Sequence, residues 1–222
     1  GAEITLEANP DDLTAPVLEG LYAAGINRLS IGIQSFFEED LRWMNRAHNS
    51  DQATRSILIA QDRGIDNLTI DLIYGTPTLN DMRWEENVRK AVRMQIPHLS
   101  CYALTVEPRT PLDHMIKKEK FPAVDPEDQG RQFSLLMDWM ETEEFEHYEI
   151  SNFAKAGKRS RHNSSYWKGE TYLGLGPSAH SYNGTARRWN ISNNVLYTQS
   201  IDKGIIPFEE EVLTQVQRMN EY

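Results

Sequence analysis

The sequence has very little cysteine: Cys101 is the only one among 222 residues. A single cysteine excludes an intrachain disulfide and is typical of a protein kept in a reducing compartment. Positive charge is also scarce, since 23 Lys and Arg stand against 33 Asp and Glu, for a formal net charge of −10. This acidic balance argues against a nucleic-acid partner, because neutralising phosphates requires a basic face.

Long hydrophobic runs are missing as well. No stretch approaches the roughly 20 apolar residues of a transmembrane helix, and residues 1–6 lack the basic region followed by an apolar stretch that marks a signal peptide. We therefore predict no transmembrane segment and no signal peptide in this chain. Hydrophobic residues make up 39% of it, which is enough for one sizeable core in a globular domain.

What the sequence does contain is an alternation of strand and helix signals. Strands are predicted at residues 4–8, 28–34, 68–74 and 98–104, with one more short strand at 148–152. Helices are predicted at residues 13–24, 38–44, 51–63, 84–94 and 127–142. The repeated βαβ order predicts an α/β fold in which helices cover parallel strands.

Each of the four main predicted strands divides into two faces, because successive side chains point to opposite sides. One face is apolar throughout: Ile4, Leu6, Leu29, Ile31, Ile33, Leu68, Ile70, Leu72, Leu99, Cys101 and Ala103. The other is small or polar: Thr5, Glu7, Ser30, Gly32, Gln34, Thr69, Asp71, Ser100 and Tyr102. A closed parallel barrel normally fills its interior with branched apolar residues, so this polar face predicts a barrel that holds a polar ligand.

Three polar residues lie at or near the C-terminal ends of their strands, where α/β proteins build their sites: Glu7, Gln34 and Asp71. Taken alone, Glu7 could equally belong to a turn through Asn9 and Pro10. Three such residues on one face and at one end favour a ligand site. A buried carboxylate needs a partner, and ribose hydroxyls or an ammonium group would supply one.

Three segments carry a family resemblance: Glu7-Ala8-Asn9-Pro10, the stretch NRLSIGIQSF at residues 27–36, and Asp71-Leu72-Ile73-Tyr74-Gly75. In this order and spacing they resemble the oxygen-independent coproporphyrinogen oxidase (HemN) and HemW family of radical SAM proteins. The resemblance implies a partial radical SAM (βα) barrel that begins at about its third strand. The CxxxCxxC loop of the [4Fe–4S] cluster and a glycine-rich loop would lie upstream of Gly1, so this chain is expected to hold neither cluster ligands nor catalytic residues.

The resemblance also implies a set of contacts to S-adenosylmethionine (SAM): Glu7, Gln34, Arg46, Asp71 and Ala103. Glu7 and Asp71 suit ribose hydroxyls or the methionyl ammonium, and Arg46 suits a carboxylate. Ala103 matches a position where the strand backbone approaches the ligand. By strand alternation, however, the Ala103 side chain falls on the apolar face.

A second constellation is His162-Asn163-Ser164-Ser165-Tyr166-Trp167. It resembles the HNxxYW motif that marks HemW-type proteins, which are regarded as heme-binding chaperones. A neutral imidazole such as His162 is a common iron ligand, and Tyr166 and Trp167 offer flat faces to a macrocycle. Five basic residues lie in residues 155–168, which contain no Asp or Glu: Lys155, Lys158, Arg159, Arg161 and Lys168. They predict pairing with tetrapyrrole propionates, although such a run could equally be a solvated basic loop.

Together these patterns predict three parts: a partial radical SAM barrel at residues 1–152, a loop-rich HNxxYW region at 153–208, and the start of a helical C-terminal domain at 209–222. The last segment is predicted as a helix with Val212, Leu213, Val216 and Met219 on one side. Because both ends of the sequence look abrupt, we expect a piece of a longer protein.

The resemblance implies a cytoplasmic, HemW-like protein that binds heme or porphyrin and passes heme to a recipient protein. Its cofactors would be SAM and, in the intact protein, a [4Fe–4S] cluster. The alternative is an oxygen-independent coproporphyrinogen III oxidase, which would convert propionates to vinyl groups by a SAM-derived radical. A third hypothesis, a radical SAM protein with an unrelated substrate, leaves the basic residues around His162 without a purpose. The HNxxYW motif favours the chaperone.

Overall fold

A computed structural model describes residues 1–219. The chain divides into two compact units, Gly1–Arg159 and Ser160–Tyr222. The three-part division expected from the sequence stays a prediction. Within residues 1–219, no helix has both the length and the apolar character needed to cross a membrane.

One six-stranded sheet organises the first unit. Its strands are β1 (Thr5–Ala8), β2 (Arg28–Gln34), β3 (Leu68–Tyr74), β4 (His98–Ala103), β5 (Glu146–His147) and β6 (Asn152–Ala154). The order across the sheet is β1-β2-β3-β4-β6-β5. Strands β1 to β4 are parallel, whereas β6 is antiparallel to β4 and β5. The α/β fold with parallel strands is therefore confirmed.

The short strand predicted at residues 148–152 is wrong over most of its length. Residues 148–151 form the turn that joins β5 to β6, and the Tyr148 amide donates to the Asn152 carbonyl across it (3.3 Å). Of the predicted stretch, the pairing with β4 includes only Asn152. Strands of two and three residues, such as β5 and β6, are too short to show a period of two in the sequence.

Helices connect the parallel strands of the first unit. They are a 3₁₀ helix (Pro10–Asp12), α1 (Ala15–Ala23), α2 (Glu38–Trp43), α3 (Ser50–Asp62), α4 (Asp81–Arg93), α5 (Pro111–Lys117) and α6 (Pro126–Thr142). The five predicted helices are confirmed with ends shifted by up to three residues. Helix α5 was not predicted, although Pro111 in its first turn and the Thr110 hydroxyl, which accepts from the Asp113 amide, are helix-start signals.

The apolar strand face forms the core of the first unit. Residues from the three central strands are at most 1% exposed: Leu29, Ile31, Ile33, Leu68, Ile70, Leu72, Leu99 and Cys101. Burying each of the Leu and Ile side chains in this set stabilises the fold by about 1.5–3 kcal/mol. Ile4, which alternation assigns to the same face, precedes β1 at the edge of the sheet and is 43% exposed, so it does not belong to the core.

A three-stranded antiparallel sheet forms the centre of the second unit. Its elements are α7 (Arg161–Trp167), β7 (His180–Tyr182), β8 (Ala186–Asn190), α8 (Asn194–Ile201), β9 (Phe208–Val212) and α9 (Gln215–Met219). The sheet order is β7-β8-β9. Several of these elements are shorter than two helical turns or four strand residues, so the sequence showed only a loop-rich region there.

The helix predicted at residues 209–222 is wrong at its start, where β9 lies. Glu209, Glu210 and Glu211 stand opposite Trp189, Arg188 and Arg187 on β8. Pairs of opposite charge across neighbouring strands stabilise a sheet, and this outweighs the helix propensity of glutamate. Val212 and Val216 are exposed while Leu213 is buried, so these three side chains do not share an apolar stripe. Residues 220–222 of the predicted helix lie outside the described residues.

Candidate functional site

Polar side chains form a row across one face of the six-stranded sheet. In the register of the strands, Glu7 faces Ser30, Asp71 faces Ser100, and Ser100 faces Asn152. The Ser30 hydroxyl donates to Oδ1 of Asp71 (3.5 Å), and the Ser100 hydroxyl donates to Oδ1 of Asn152 (2.6 Å). The polar face expected from alternation therefore exists as a connected set of side chains.

Asp71 is the half-buried carboxylate of this row. Burial raises the pKa of Asp71 to about 6, and the nearby charge of Glu7 adds to the rise. The hydroxyls of Ser100 and Ser30 and the charge of Arg28 act in the opposite direction. Two neighbouring carboxylates in a partly desolvated place are unfavourable without a partner, so a hydroxyl-bearing or cationic ligand would be stabilised there.

Gln34 and Arg46 meet over Gly32. A Cβ atom at Gly32 would lie 2.9 Å from Nε2 of Gln34 and 3.5 Å from Nη2 of Arg46, so the absence of a side chain is what lets both groups lie against the strand. Nη2 of Arg46 donates to Oδ1 of Asn9 (2.8 Å). Nε of Arg46 is buried and has no hydrogen-bond partner within residues 1–219. A guanidinium arranged in this way suits an anionic group.

Gln34 itself has an unusual backbone. Its φ angle is +65°, and the pairing of β2 with β3 shifts between Ile31 and Gln34. A non-glycine residue in the left-handed region costs on the order of 1 kcal/mol or more and persists only when its surroundings hold it. The irregularity turns the end of β2 at the point where the Gln34 amide approaches Gly32.

Two buried polar contacts hold these strand ends in place. Nε2 of His48 is hydrogen-bonded to the carbonyl of Ile33 (3.0 Å), which ties the loop carrying Arg46 to the end of β2. The buried Asp40 carboxylate accepts hydrogen bonds from the hydroxyls of Ser35 (2.7 Å) and Thr78 (2.6 Å). Because these bonds span the loops after β2 and β3, they fix the edge of the sheet where Gln34 and Arg46 lie.

Ala103 stands apart from the other four predicted contacts. It ends β4 opposite Tyr74, and its side chain packs against the hydrophobic core, as the alternation of the strand requires. Only the Ala103 backbone is therefore placed to approach a ligand on the polar face.

The arrangement fits SAM in two respects: carboxylates for hydroxyl or ammonium groups, and a buried guanidinium nitrogen for a carboxylate. The structure brings Glu7 close enough to Asp71 for its charge to raise the pKa of Asp71. It also brings the side chains of Gln34 and Arg46 together beside Gly32. Their role as SAM contacts stays a prediction. The sequence had not singled out Asn9 or Ser100 as parts of the site, although the first lies in the quoted motif and the second on the polar face.

In the second unit, His162, Tyr166 and Trp167 all lie on α7, with the Ser160 side chain accepting a hydrogen bond from the Asn163 amide at its start. Nε2 of His162 is 3.1 Å from the Tyr166 hydroxyl, as expected for residues four apart on a helix. Their rings meet edge to face at 4.9 Å, and the Tyr166 ring meets Tyr172 in the same way at 4.7 Å. The motif therefore begins an aromatic cluster.

Two cavities in the second unit share Tyr172 and Tyr182 in their walls. The smaller has a volume of about 180 Å³, and its other lining residues are Tyr166, Trp167, Gly169, Glu170, Arg187 and Arg218. The larger, of about 350 Å³, is mainly apolar, with Leu175, Ile201, Ile206 and Phe208 among its lining residues. The HNxxYW helix thus forms part of the wall of the smaller cavity.

The basic residues near His162 in sequence belong to two units of the chain. Lys155, Lys158 and Arg159 belong to the first unit. Nζ of Lys155 donates to the Glu143 carbonyl and lies 4.5 Å from the centre of the Phe145 ring. Arg159 forms an ion pair with Glu146 (2.8 Å). Lys155 and Arg159 thus each have a partner within the first unit, and the pairing of these cations with propionates stays a prediction.

The chain is similar to a family model and to several known proteins, and all of them are radical SAM proteins or HemW heme chaperones. Residues 1–91 match the model of the radical SAM superfamily. The chain is 36% identical over 218 residues to the heme chaperone HemW of Bacillus subtilis, covering 97% of this chain and 58% of that protein. It is also 36% identical over 179 residues to the mitochondrial radical S-adenosyl methionine domain-containing protein 1 of Mus musculus, covering 81% of this chain and 40% of that protein.

Among solved structures, the chain is similar to the radical SAM coproporphyrinogen III oxidase HemN from Escherichia coli. The TM-score is 0.81 at 22% identity, with 99% of this chain and 54% of that chain covered. At this identity the likeness shows a shared fold. The chain spans about half the length of the relatives it matches.

Proposed function

The chain belongs to the radical SAM superfamily and is HemW/HemN-like, and on this premise we propose that the intact protein is a heme-binding chaperone of the HemW type. The observation that carries the proposal is the contact of His162 with Tyr166 on α7, beside a cavity walled by aromatic rings. A histidine for iron and flat rings for the macrocycle are the groups that heme requires. The proposal includes cytoplasmic delivery of heme to a recipient protein.

The proposal also gives the first unit a SAM site. Asp71 and Glu7 would accept hydrogen bonds from ligand hydroxyls or an ammonium group, and the buried Nε of Arg46 would donate to the ligand carboxylate. The absence of a side chain at Gly32 lets the Gln34 amide lie against β2, and the bond from His48 to Ile33 keeps the Arg46 loop in place. SAM supplies radical chemistry when it is bound next to an iron–sulfur cluster.

Replacing His162 with Ala should change the absorption of the heme complex. Loss of an axial nitrogen ligand alters the electronic state of the iron, so the Soret band is expected to shift, with about tenfold weaker binding. The measurement is a spectrophotometric titration of the chain with heme. His180→Ala is the matched control, because His180 lies in the same unit with its ring near Trp189 (6.2 Å). An unchanged spectrum in His162→Ala would remove His162 as a ligand.

The second candidate function is an oxygen-independent coproporphyrinogen III oxidase, favoured by the similarity of the fold to HemN at a TM-score of 0.81. The deciding assay incubates the intact, cluster-loaded protein with coproporphyrinogen III and SAM. We expect no protoporphyrinogen, because the chaperone needs no decarboxylation. Product formation at a rate above that of a cluster-free control would replace the chaperone proposal by the oxidase.

A further inference from the structure

We infer that the smaller cavity of the second unit binds a ligand carboxylate through Arg187 and Arg218, which makes it the subsite for a propionate of the tetrapyrrole. The inference rests on the proposed function and deepens it, because it assigns one end of the ligand to named residues. Neither arginine belongs to the HNxxYW motif, and they reach the cavity from β8 and α9.

Arg187 faces this cavity because of strand alternation. It stands opposite Tyr182 on β7, and both residues line the small cavity. The next residue, Arg188, points to the other face, where it lines the larger cavity, pairs with Glu210 (2.7 Å) and lies 4.5 Å from the centre of the Phe208 ring. Two neighbouring arginines therefore have different surroundings, and only Arg187 is directed to the small cavity.

Arg218 comes from α9, whose start is held by Thr214 and Gln217. The Thr214 amide donates to Oε1 of Gln217 (2.8 Å), and the Gln217 amide donates to the Thr214 hydroxyl (3.2 Å). Nε of Arg218 is buried and has no hydrogen-bond partner in the described part of the chain. A buried donor of this kind is costly unless it is paired, and a carboxylate would pair it with a charge-assisted bond.

The charges of the wall favour an anion. Glu170 is the acidic residue of the lining, and its carboxylate accepts a hydrogen bond from the Ser165 hydroxyl (2.8 Å). Glu211 stands opposite Arg187 on β9 and accepts a hydrogen bond from Nε2 of Gln217 (3.2 Å). The lining itself therefore holds two guanidinium groups against one carboxylate, that of Glu170.

Size limits what the cavity can hold. Its volume of about 180 Å³ is below the roughly 300–1,000 Å³ of pockets that enclose a whole drug-sized ligand. A carboxylate on a short aliphatic stem fits, whereas a macrocycle does not. Tyr166 and Trp167 belong to the same wall and are 47% and 43% exposed, so their rings can contact the macrocycle while the propionate enters between them and the arginines.

The test uses iron-free protoporphyrin IX and its dimethyl ester as probes. Binding to the full chain is followed by quenching of tryptophan fluorescence. We expect Arg187→Ala and Arg218→Ala each to weaken protoporphyrin binding about tenfold, which is the loss of one charge-assisted interaction. Arg188→Ala should leave the affinity unchanged. The ester should bind the unaltered chain about tenfold more weakly and should not distinguish the variants.

A conservative variant checks for damage to the fold. Arg187→Lys keeps the charge but loses the bidentate geometry, so we expect an affinity between those of Arg187→Ala and the unaltered chain. Equal affinity for acid and ester, or an equal loss in Arg188→Ala and Arg187→Ala, would overturn the inference. These results are independent of iron, so they can fail while His162 still ligates heme; absence of any heme binding would instead refute the proposed function.

Discussion

Asp71→Asn is expected to weaken SAM binding by the intact protein about a hundredfold. Asn keeps the size of the side chain and an acceptor for the Ser30 hydroxyl, but it removes the negative charge that would pair with hydroxyl or ammonium groups of the ligand. Removing one partner of a desolvated charged hydrogen bond costs roughly 2–5 kcal/mol, and about 2.7 kcal/mol corresponds to a factor of 100. Isothermal titration calorimetry on the cluster-loaded protein measures the affinity.

The same substitution should stabilise the ligand-free chain at neutral pH. The folded state raises the pKa of Asp71 from 3.8 to about 6, so between these values the folded chain binds a proton that the unfolded chain has released. Ionised Asp71 therefore lowers the free energy of unfolding progressively as the pH rises through this range, by about 3 kcal/mol once the pH is well above 6. Asp71→Asn removes that penalty at pH 8 and has little effect at pH 4.

The control for both experiments is Asp66→Asn, because Asp66 is exposed and precedes the same strand, β3. It should change neither SAM affinity nor the pH dependence of urea unfolding. If Asp71→Asn bound SAM as tightly as the unaltered protein, the polar face would lose its main proposed ligand group. If it also failed to stabilise the ligand-free chain, ionised Asp71 would not lower the free energy of unfolding, and the raised pKa would be contradicted.

Acid should destabilise the first unit through His98, by about 2 kcal/mol between pH 7 and pH 5. His98 is fully buried, and its Nε2 is hydrogen-bonded to the Tyr148 hydroxyl (2.7 Å). Burial lowers the pKa of His98 to about 3, and the positive charge of Arg28 adds to the effect. Below pH 6.5 the unfolded chain binds a proton that the folded chain does not, so stability is complete above pH 6.5 and is lost as the pH falls toward 3.

His98→Gln tests this expectation, because glutamine keeps polar atoms for Tyr148 and does not titrate. Whatever its stability at pH 7, its free energy of unfolding should fall less than that of the unaltered chain on going to pH 5, by about 2 kcal/mol in urea titrations. Protonation of Asp71 stabilises the folded chain as the pH falls through about 6, in the same range. The test is therefore the difference between the curves of His98→Gln and the unaltered chain, since Asp71 contributes equally to both. His114→Gln, an exposed histidine in α5, should reproduce the unaltered curve; parallel curves for His98→Gln would contradict the assignment.

The sequence alone predicted the framework of the first unit. Residues such as Ile31 and Ile70 alternate with Ser30 and Asp71, and this period of two determines which side chains enter the core and which form the polar face. The long helices were predictable for a similar reason, because their periods extend over three or more turns. The segments around Glu7, Gln34 and Asp71, taken in their order along the chain, also indicated the family.

Only the tertiary structure decided how distant residues meet. The contact of Gln34 with Gly32, and of Arg46 with Asn9, depends on a positive φ angle and on a loop held by His48, neither of which leaves a periodic signal. Arg187 and Arg218 lie far along the chain from the His162 motif, and they join its cavity because antiparallel pairing places their elements there. Glu209 to Glu211 became a strand for the same reason: local propensity favoured a helix, but the arginines across the sheet supplied the larger stabilisation.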